Sequence, residues 1–222
     1  MKSDRVELIT SDNKKIAADL YPVEKPEGWL LFSHMMPATK ESWRNLAIEL
    51  QSYGYEGLAI DLRGHGESEG GPGGFKNFGD AEHQASIQDI AAGWEFLKSR
   101  GAVPEKTVLV GASIGANLSL LFLTKNQEIR GGILLSPGDY KGLDSALLVR
   151  QLSPGQKLLL AASKKDERAA GNNADQNRQY YNLAPSQNKK LVVYEPAGHG
   201  TDFLSFSDGP DLTQTIKEFL NG

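Results

Sequence analysis

Two kinds of hydrophobic pattern alternate along the chain. Short apolar or alternating runs of strand length occur at Arg5–Thr10, Ile16–Tyr21, Gly28–Ser33, Glu56–Asp61, Thr107–Gly111, Gly131–Ser136, Leu158–Ser163 and Leu191–Tyr194. Between most of them the apolar residues recur at helical spacing. Trp43–Tyr53 sets Leu46, Leu50 and Tyr53 on one face, and Gln84–Arg100 does the same with Ile87, Ile90, Ala91, Trp94 and Leu97. Ile114–Lys125 is apolar nearly all round, as expected of a helix packed deep against a sheet. Asn173–Leu183 and Asp211–Leu220 carry weaker helical patterns. The first two strands are close enough to pair as a hairpin through Ser11–Lys14. The strand–helix alternation after them predicts an α/β fold: a mostly parallel central sheet of about eight strands with helices on both faces.

The segment Gly64–Gly79 breaks the alternation. It holds seven glycines and too little apolar content for a regular element, so it reads as a mobile loop. Composition then narrows the function classes. Lys and Arg number 24 against 28 Asp and Glu, a net charge of −4 with no basic run, which disfavours nucleic acid or an anionic membrane as partner. The absence of cysteine excludes disulfides, thiolate zinc sites, iron–sulfur clusters and a cysteine nucleophile. No apolar window reaches membrane-spanning length, and no apolar stretch follows the charged Met1-Lys2-Ser3-Asp4-Arg5, so a cytoplasmic location is expected.

Ligands of parallel sheets sit at the carboxyl ends of the strands, so the chemistry is sought there. Gly111-Ala112-Ser113-Ile114-Gly115 follows the strand from Thr107 and opens the helix from Ile114. This is G-x-S-x-G in the strand–turn–helix setting that puts a serine hydroxyl on a sharp turn, above free N–H groups at a helix N-terminus. The plainer alternative is a glycine-flanked turn with an ordinary capping serine. A nucleophilic serine needs a base, and the base an orienting acid. His199, in Pro196-Ala197-Gly198-His199-Gly200 after the last strand, is the candidate base. Asp166, in the exit loop Ser163-Lys164-Lys165-Asp166-Glu167, is the candidate acid, with Glu167 beside it and Asp139 one strand earlier as alternatives. The order Ser, acid, His is that of a nucleophile-elbow enzyme. The backbone N–H groups of Met35 and Ile114 are the candidate oxyanion donors. His34 and Met36 are the candidate substrate-binding residues, and the side chains of Met35, Met36 and Ile114 are expected to line a small acyl pocket.

With these residues in view, the chain resembles the α/β-hydrolases over nearly its whole length. Asp61-Leu62-Arg63-Gly64-His65-Gly66-Glu67-Ser68 is similar to the D-x-R-G-H-G-x-S loop of many members, and Gly54-Tyr55 and Ala197-Gly198-His199-Gly200 fit as well. The sub-groups it looks like are small dienelactone-hydrolase-like and serine-aminopeptidase-like proteins. Met35 stands where many relatives have glycine after the histidine, and serine stands where dienelactone hydrolases have cysteine. The resemblance implies one domain over residues 1–222 with a Ser113–His199–Asp166 triad and no metal or cofactor. It implies hydrolysis of a small-molecule ester; a peptidase, thioesterase or lactonase on the same triad, or a binding protein that keeps the fold, are the alternatives. A dinucleotide-dependent oxidoreductase is disfavoured because no G-x-G-x-x-G opens a helix after the first strand, and a zinc enzyme because no two histidines stand four apart. Residues 137–156 leave no room for an inserted lid, so an open site with a preference for short acyl chains is expected, with Gly64–Gly79 the one other long loop over it.

Overall fold

The computed structural model describes residues 3–222. Its strands are β1 (Asp4–Ile9), β2 (Lys15–Tyr21), β3 (Gly28–Ser33), β4 (Tyr55–Ile60), β5 (Thr107–Ala112), β6 (Gly131–Leu135), β7 (Lys157–Ser163), the two-residue β8 (Glu167–Arg168) and β9 (Gly171–Asn172), and β10 (Lys189–Tyr194). Eight of them form one sheet in the order β1-β2-β4-β3-β5-β6-β7-β10, while β8 and β9 pair separately. The β1–β2 and β2–β4 pairs are antiparallel and every other pair in the large sheet is parallel. The helices are α1 (Arg44–Ser52), α2 (Asp80–Ala85), α3 (Ile87–Ser99), α4 (Ile114–Lys125), α5 (Ser145–Arg150), α6 (Asn173–Leu183) and α7 (Leu212–Asn221).

Strands β3, β4, β5 and β6 are buried at every position, which is why they read as continuous apolar runs rather than alternating ones. Each feeds two cores. Leu31, Leu58 and Leu109 face one side, with Ile90, Trp94 and Leu97 of α3, Leu118 and Leu120 of α4, and Tyr180 of α6. Leu30, Phe32, Val108 and Val110 face the other, with Leu46 and Leu50 of α1 and Ile216 and Phe219 of α7. The alternation of Leu30, Leu31 and Phe32 between these layers is the period-two geometry of a strand. Helices thus cover both faces of the mostly parallel sheet, as the alternating pattern predicts. No helix among the described residues is long and apolar enough to cross a membrane.

Two expectations are corrected. The helix read over Gln84–Arg100 starts earlier and is interrupted at Ser86, where α2 ends and α3 begins. The glycine-rich segment is not a loose loop. Gly64 N–H donates to Glu69 O (2.9 Å), Gly74 N–H to Gly70 O (2.9 Å), and Phe75 N–H to Gly64 O (3.3 Å). His65 is buried and stacks on Phe75 at 4.2 Å. Ser68 Oγ donates to Asp61 O (2.6 Å) and accepts from Ala17 N–H (2.9 Å). Low apolar content hid this because the segment is held by backbone and hydroxyl hydrogen bonds instead of side-chain packing. The Asp61–Ser68 motif is accordingly a structural bracket: the Arg63 guanidinium reaches Asp12 (2.5 Å) and Asp89 (2.7 Å), and Asp61 accepts from Lys40 and Glu67.

Candidate active site

The chain turns sharply between β5 and α4. Ser113 sits on that turn at φ 52° and ψ −118°, a conformation L-residues rarely adopt and one that costs about 1–3 kcal/mol. The flanking glycines allow the approach: a Cβ on Gly111 would lie 2.4 Å from Gly115 O, and one on Gly115 2.3 Å from Ser33 O. Ser113 N–H donates to Leu135 O (2.8 Å) and Asn117 N–H to Ser113 O (3.0 Å), so the turn is fixed from both sides. The first N–H groups of α4, Ile114 among them, have no partner within the helix.

The exits of β7 and β10 bring an acid and an imidazole together. His199 Nδ1 lies 2.5 Å from Asp166 Oδ2. With Nδ1 donating to the carboxylate, Nε2 retains its lone pair. Asp166 is nearly buried, and its Oδ1 accepts from Arg168 Nε at 2.6 Å. Burial works against its charge, but the hydrogen bond from His199 and the Arg168 guanidinium outweigh it and hold the carboxyl below the usual carboxylate range. The histidine loop is anchored twice: His199 N–H donates to Asp202 Oδ2 (3.0 Å), and Gly200 N–H to Ser136 Oγ (2.9 Å). Ser113 and His199 line one cavity of about 210 Å³, whose wall also includes Met36, Ser136, Tyr140 and Arg168. The Ser113 hydroxyl makes no hydrogen bond among the described residues, which leaves it open toward the cavity.

The family model described as "Serine aminopeptidase, S33" matches residues 24–165. The chain belongs to this family of α/β-hydrolases. The match includes Ser113 and ends one residue before Asp166, so the acid and the histidine lie outside it. Among solved structures, DcsB in complex with its substrate analogue has a TM-score of 0.81 at 15% identity, covering 99% of this chain and 98% of that one. An esterase from Pyrococcus furiosus has a TM-score of 0.77 at 22% identity, with 99% and 92% covered. An esterase from Rhodococcus sp. reaches 0.72 at 15% identity, with 98% of each chain covered. At these identities the likeness is one of fold. A curated protein, a probable alcohol acetyltransferase of Cyberlindnera fabianii, is 28% identical over 119 residues. The alignment spans 53% of this chain but only 29% of that protein.

In this α/β-hydrolase family member the other residues singled out from the sequence fall into two groups. Met36 lines the cavity. The Met35 N–H has no hydrogen-bond partner among the described residues, which leaves it as a donor beside the elbow. The side chains of Met35 and Ile114 do not line the cavity as expected: Ile114 is buried in one core and Met35 packs against the other. Tyr140, Ala169 and Ala170 supply wall in their place. His34 does not touch the cavity either. It is fully buried; Nδ1 donates to Met35 O (2.9 Å), and Nε2 accepts from Leu62 N–H (3.0 Å). Burial and the neighbouring His65 push its imidazole down to about 4, so it is neutral at pH 7 and holds the Met35 loop to the Asp61–Ser68 bracket. Asp139 accepts from Ser145 N–H (2.9 Å) and Tyr180 Oη (3.0 Å), and Glu167 from Asn172 Nδ2 (2.7 Å); neither pairs with His199. The Gly64–Gly79 segment contributes nothing to this cavity wall. Sequence reasoning missed Ser136 and Arg168. Ser136 carries no sequence signal for its φ of 51°, whereas Arg168, two residues beyond the candidate acid, was readable as its ion-pair partner.

Proposed function

We propose that the chain hydrolyses carboxylic esters of short acyl chain through an acyl-enzyme formed on Ser113. The observation that carries this reading is the 2.5 Å Asp166–His199 pair on the cavity that also holds the strained Ser113 turn. Ser113 Oγ attacks the ester carbonyl while His199 Nε2 takes its proton. Asp166 fixes the tautomer and stabilises the imidazolium as it forms. The negative charge on the carbonyl oxygen is met by the N–H groups of Met35 and Ile114, which have no hydrogen-bond partner among the described residues. His199 returns the proton to the leaving alcohol, the alcohol departs, and water activated by the same Nε2 attacks the acyl carbonyl and releases the acid and Ser113. No inserted lid lies among the described residues to bury a long chain.

The test is a panel of p-nitrophenyl esters, thioesters and aminoacyl amides together with a fluorophosphonate probe. Wild type is expected to turn over the esters and take the probe. Ser113→Ala and His199→Ala should each lower kcat by roughly 10³–10⁶ with the fold intact, the double variant losing no more than either single, and Asp166→Asn should cost far more than Asp139→Asn or Glu167→Gln. Near-wild-type hydrolysis by the Ser113→Ala protein would end the reading.

A further inference from the structure

The Asp166 carboxylate is shared. One oxygen takes His199 Nδ1 at 2.5 Å, and the other takes Arg168 Nε at 2.6 Å. The Asp166 side chain is only 4% exposed, and Arg168 is the side-chain donor to Oδ1. Without that donor a nearly buried carboxylate oxygen would be unsatisfied and the carboxylate freer to rotate away from the imidazole. The arginine is delivered by a small anchored structure. It lies on β8, paired with Gly171 of β9, and the turn between them is tied by Gln176 Nε2 to Ala170 O (2.7 Å). Asn172 Nδ2 donates to Lys164 O (2.9 Å), and Asn173 N–H to Asp166 O (2.9 Å), so hairpin and acid move as one.

From this geometry we propose, on the basis of the triad reading above, that Arg168 is a positioning residue for the acid–base pair, fixing the Asp166 carboxylate toward the imidazole and standing behind it as a fixed positive charge. The guanidinium stays cationic at any working pH, so it acts as a constant charge behind the acid. The other charged groups around His199 do not replace it. Asp202 accepts the His199 backbone N–H, Asp139 across the cavity is bound by Tyr180 and Ser145, and Lys164 and Glu195 pair with each other at 2.5 Å. Arg168 is itself half exposed, so its electrostatic effect is screened and is read best as a shift between variants.

The experiment is the pH profile of kcat/KM for p-nitrophenyl acetate with wild type, Arg168→Met and Arg168→Lys, circular dichroism showing that each is folded. In Arg168→Met the acid limb should move to higher pH by about half to one unit and kcat should fall about 5- to 30-fold, with KM within about twofold. Arg168→Lys restores the charge without the planar Nε donor, so the acid limb should return toward wild type while kcat stays intermediate. An unchanged acid limb in Arg168→Met overturns the proposal. So does a change in KM alone, which would make Arg168 a substrate contact. A His199→Ala protein with full activity would overturn the triad reading itself, and the proposal with it.

Discussion

Replacing Lys40 with methionine removes a charge that the fold has fully enclosed. The Lys40 side chain is 0% exposed, and its Nζ lies 2.9 Å from Glu41, 3.0 Å from Asp61 and 2.8 Å from Glu67. Burial opposes the charge, but the carboxylates of Glu41 and Asp61 outweigh it and hold the ammonium above its ordinary range. A folded pKa that is raised stabilises fully below the unfolded value and is lost only as pH rises through the folded one, so at pH 7 the whole contribution is present. Glu41 and Glu67 are 44% and 47% exposed and can rehydrate, so each loses at most about 1 kcal/mol. Asp61 is 0% exposed and cannot. Breaking a buried pair at one partner costs about 3–5 kcal/mol. Asp61 keeps two backbone donors, Lys40 N–H at 2.7 Å and Glu67 N–H at 3.0 Å, which places the loss near the lower end, about 3 kcal/mol. For a chain of this size that corresponds to a Tm lower by roughly 6–12 °C. Scanning calorimetry gives the Tm, and urea titration followed by tryptophan fluorescence gives the free energy, with Trp43 fully buried three residues from the change. The reasoning is refuted if Lys40→Met lies within 1 kcal/mol of wild type.

Two further outcomes rest on the buried histidine and on the size of the cavity. Because the His34 imidazole is depressed from 6.5 to about 4, its neutral form stabilises the fold above the unfolded value and that stability is lost as pH falls. The gap in unfolding free energy between wild type and His34→Gln should therefore narrow by about 3 kcal/mol from pH 7 to pH 4, measured by urea titration; a gap independent of pH would show that His34 is protonated inside the fold. The cavity of about 210 Å³ equals only about seven water volumes, so kcat/KM across p-nitrophenyl esters should rise about fourfold per methylene for the first few carbons and then level off. A maximum at ten carbons or longer would contradict a small open site.

The architecture was legible because burial on both faces writes itself as unbroken apolar runs, and both Gly28–Ser33 and Ile114–Lys125 match their elements to the residue. The elbow was legible for a steric reason, since glycine is what the close approaches at positions 111 and 115 demand. Other features had no such signature. His34 looked like a substrate contact because a histidine after a strand carries chemistry as readily as structure; its hydrogen bond from Leu62 joins residues 28 apart in sequence, which no local pattern encodes. The cavity wall was assigned to Met35 and Ile114 from adjacency to the elbow, yet adjacency in the chain says nothing about which way a side chain turns. Glycine content was mistaken for looseness in Gly64–Gly79, where it permits the chain to fold against itself.

The division between the scaffold inside the family match and the loops also bears on where selectivity would reside. The family match runs from residue 24 to residue 165, through the elbow and the Asp61–Ser68 bracket, and both of these are pinned by buried hydrogen bonds and ion pairs. Rigid scaffold of that kind sets the positions of the Met35 and Ile114 N–H groups but does not distinguish one acyl group from another. Beyond Met36, Ser113, Ser136 and His199, the cavity wall comes from Asn117 of α4, Asn173 and Gln176 of α6, and two short segments, residues 138–140 after β6 and residues 168–170 in the β8–β9 hairpin. The second lies just beyond the matched region and carries Arg168, whose guanidinium is tied to Asp166. Substitution of Arg168 acts on the wall and on the acid together, because its side chain lines the cavity and holds Asp166. Substitution of Tyr140 acts on the wall without touching the Asp166 carboxylate or the hydrogen bonds of Asp139. On the proposed ester hydrolysis, substitution of Tyr140 should therefore shift preference across the p-nitrophenyl series with kcat on the acetate kept, whereas substitution of Arg168 should change preference and kcat together; equal effects of the two on kcat would contradict this division.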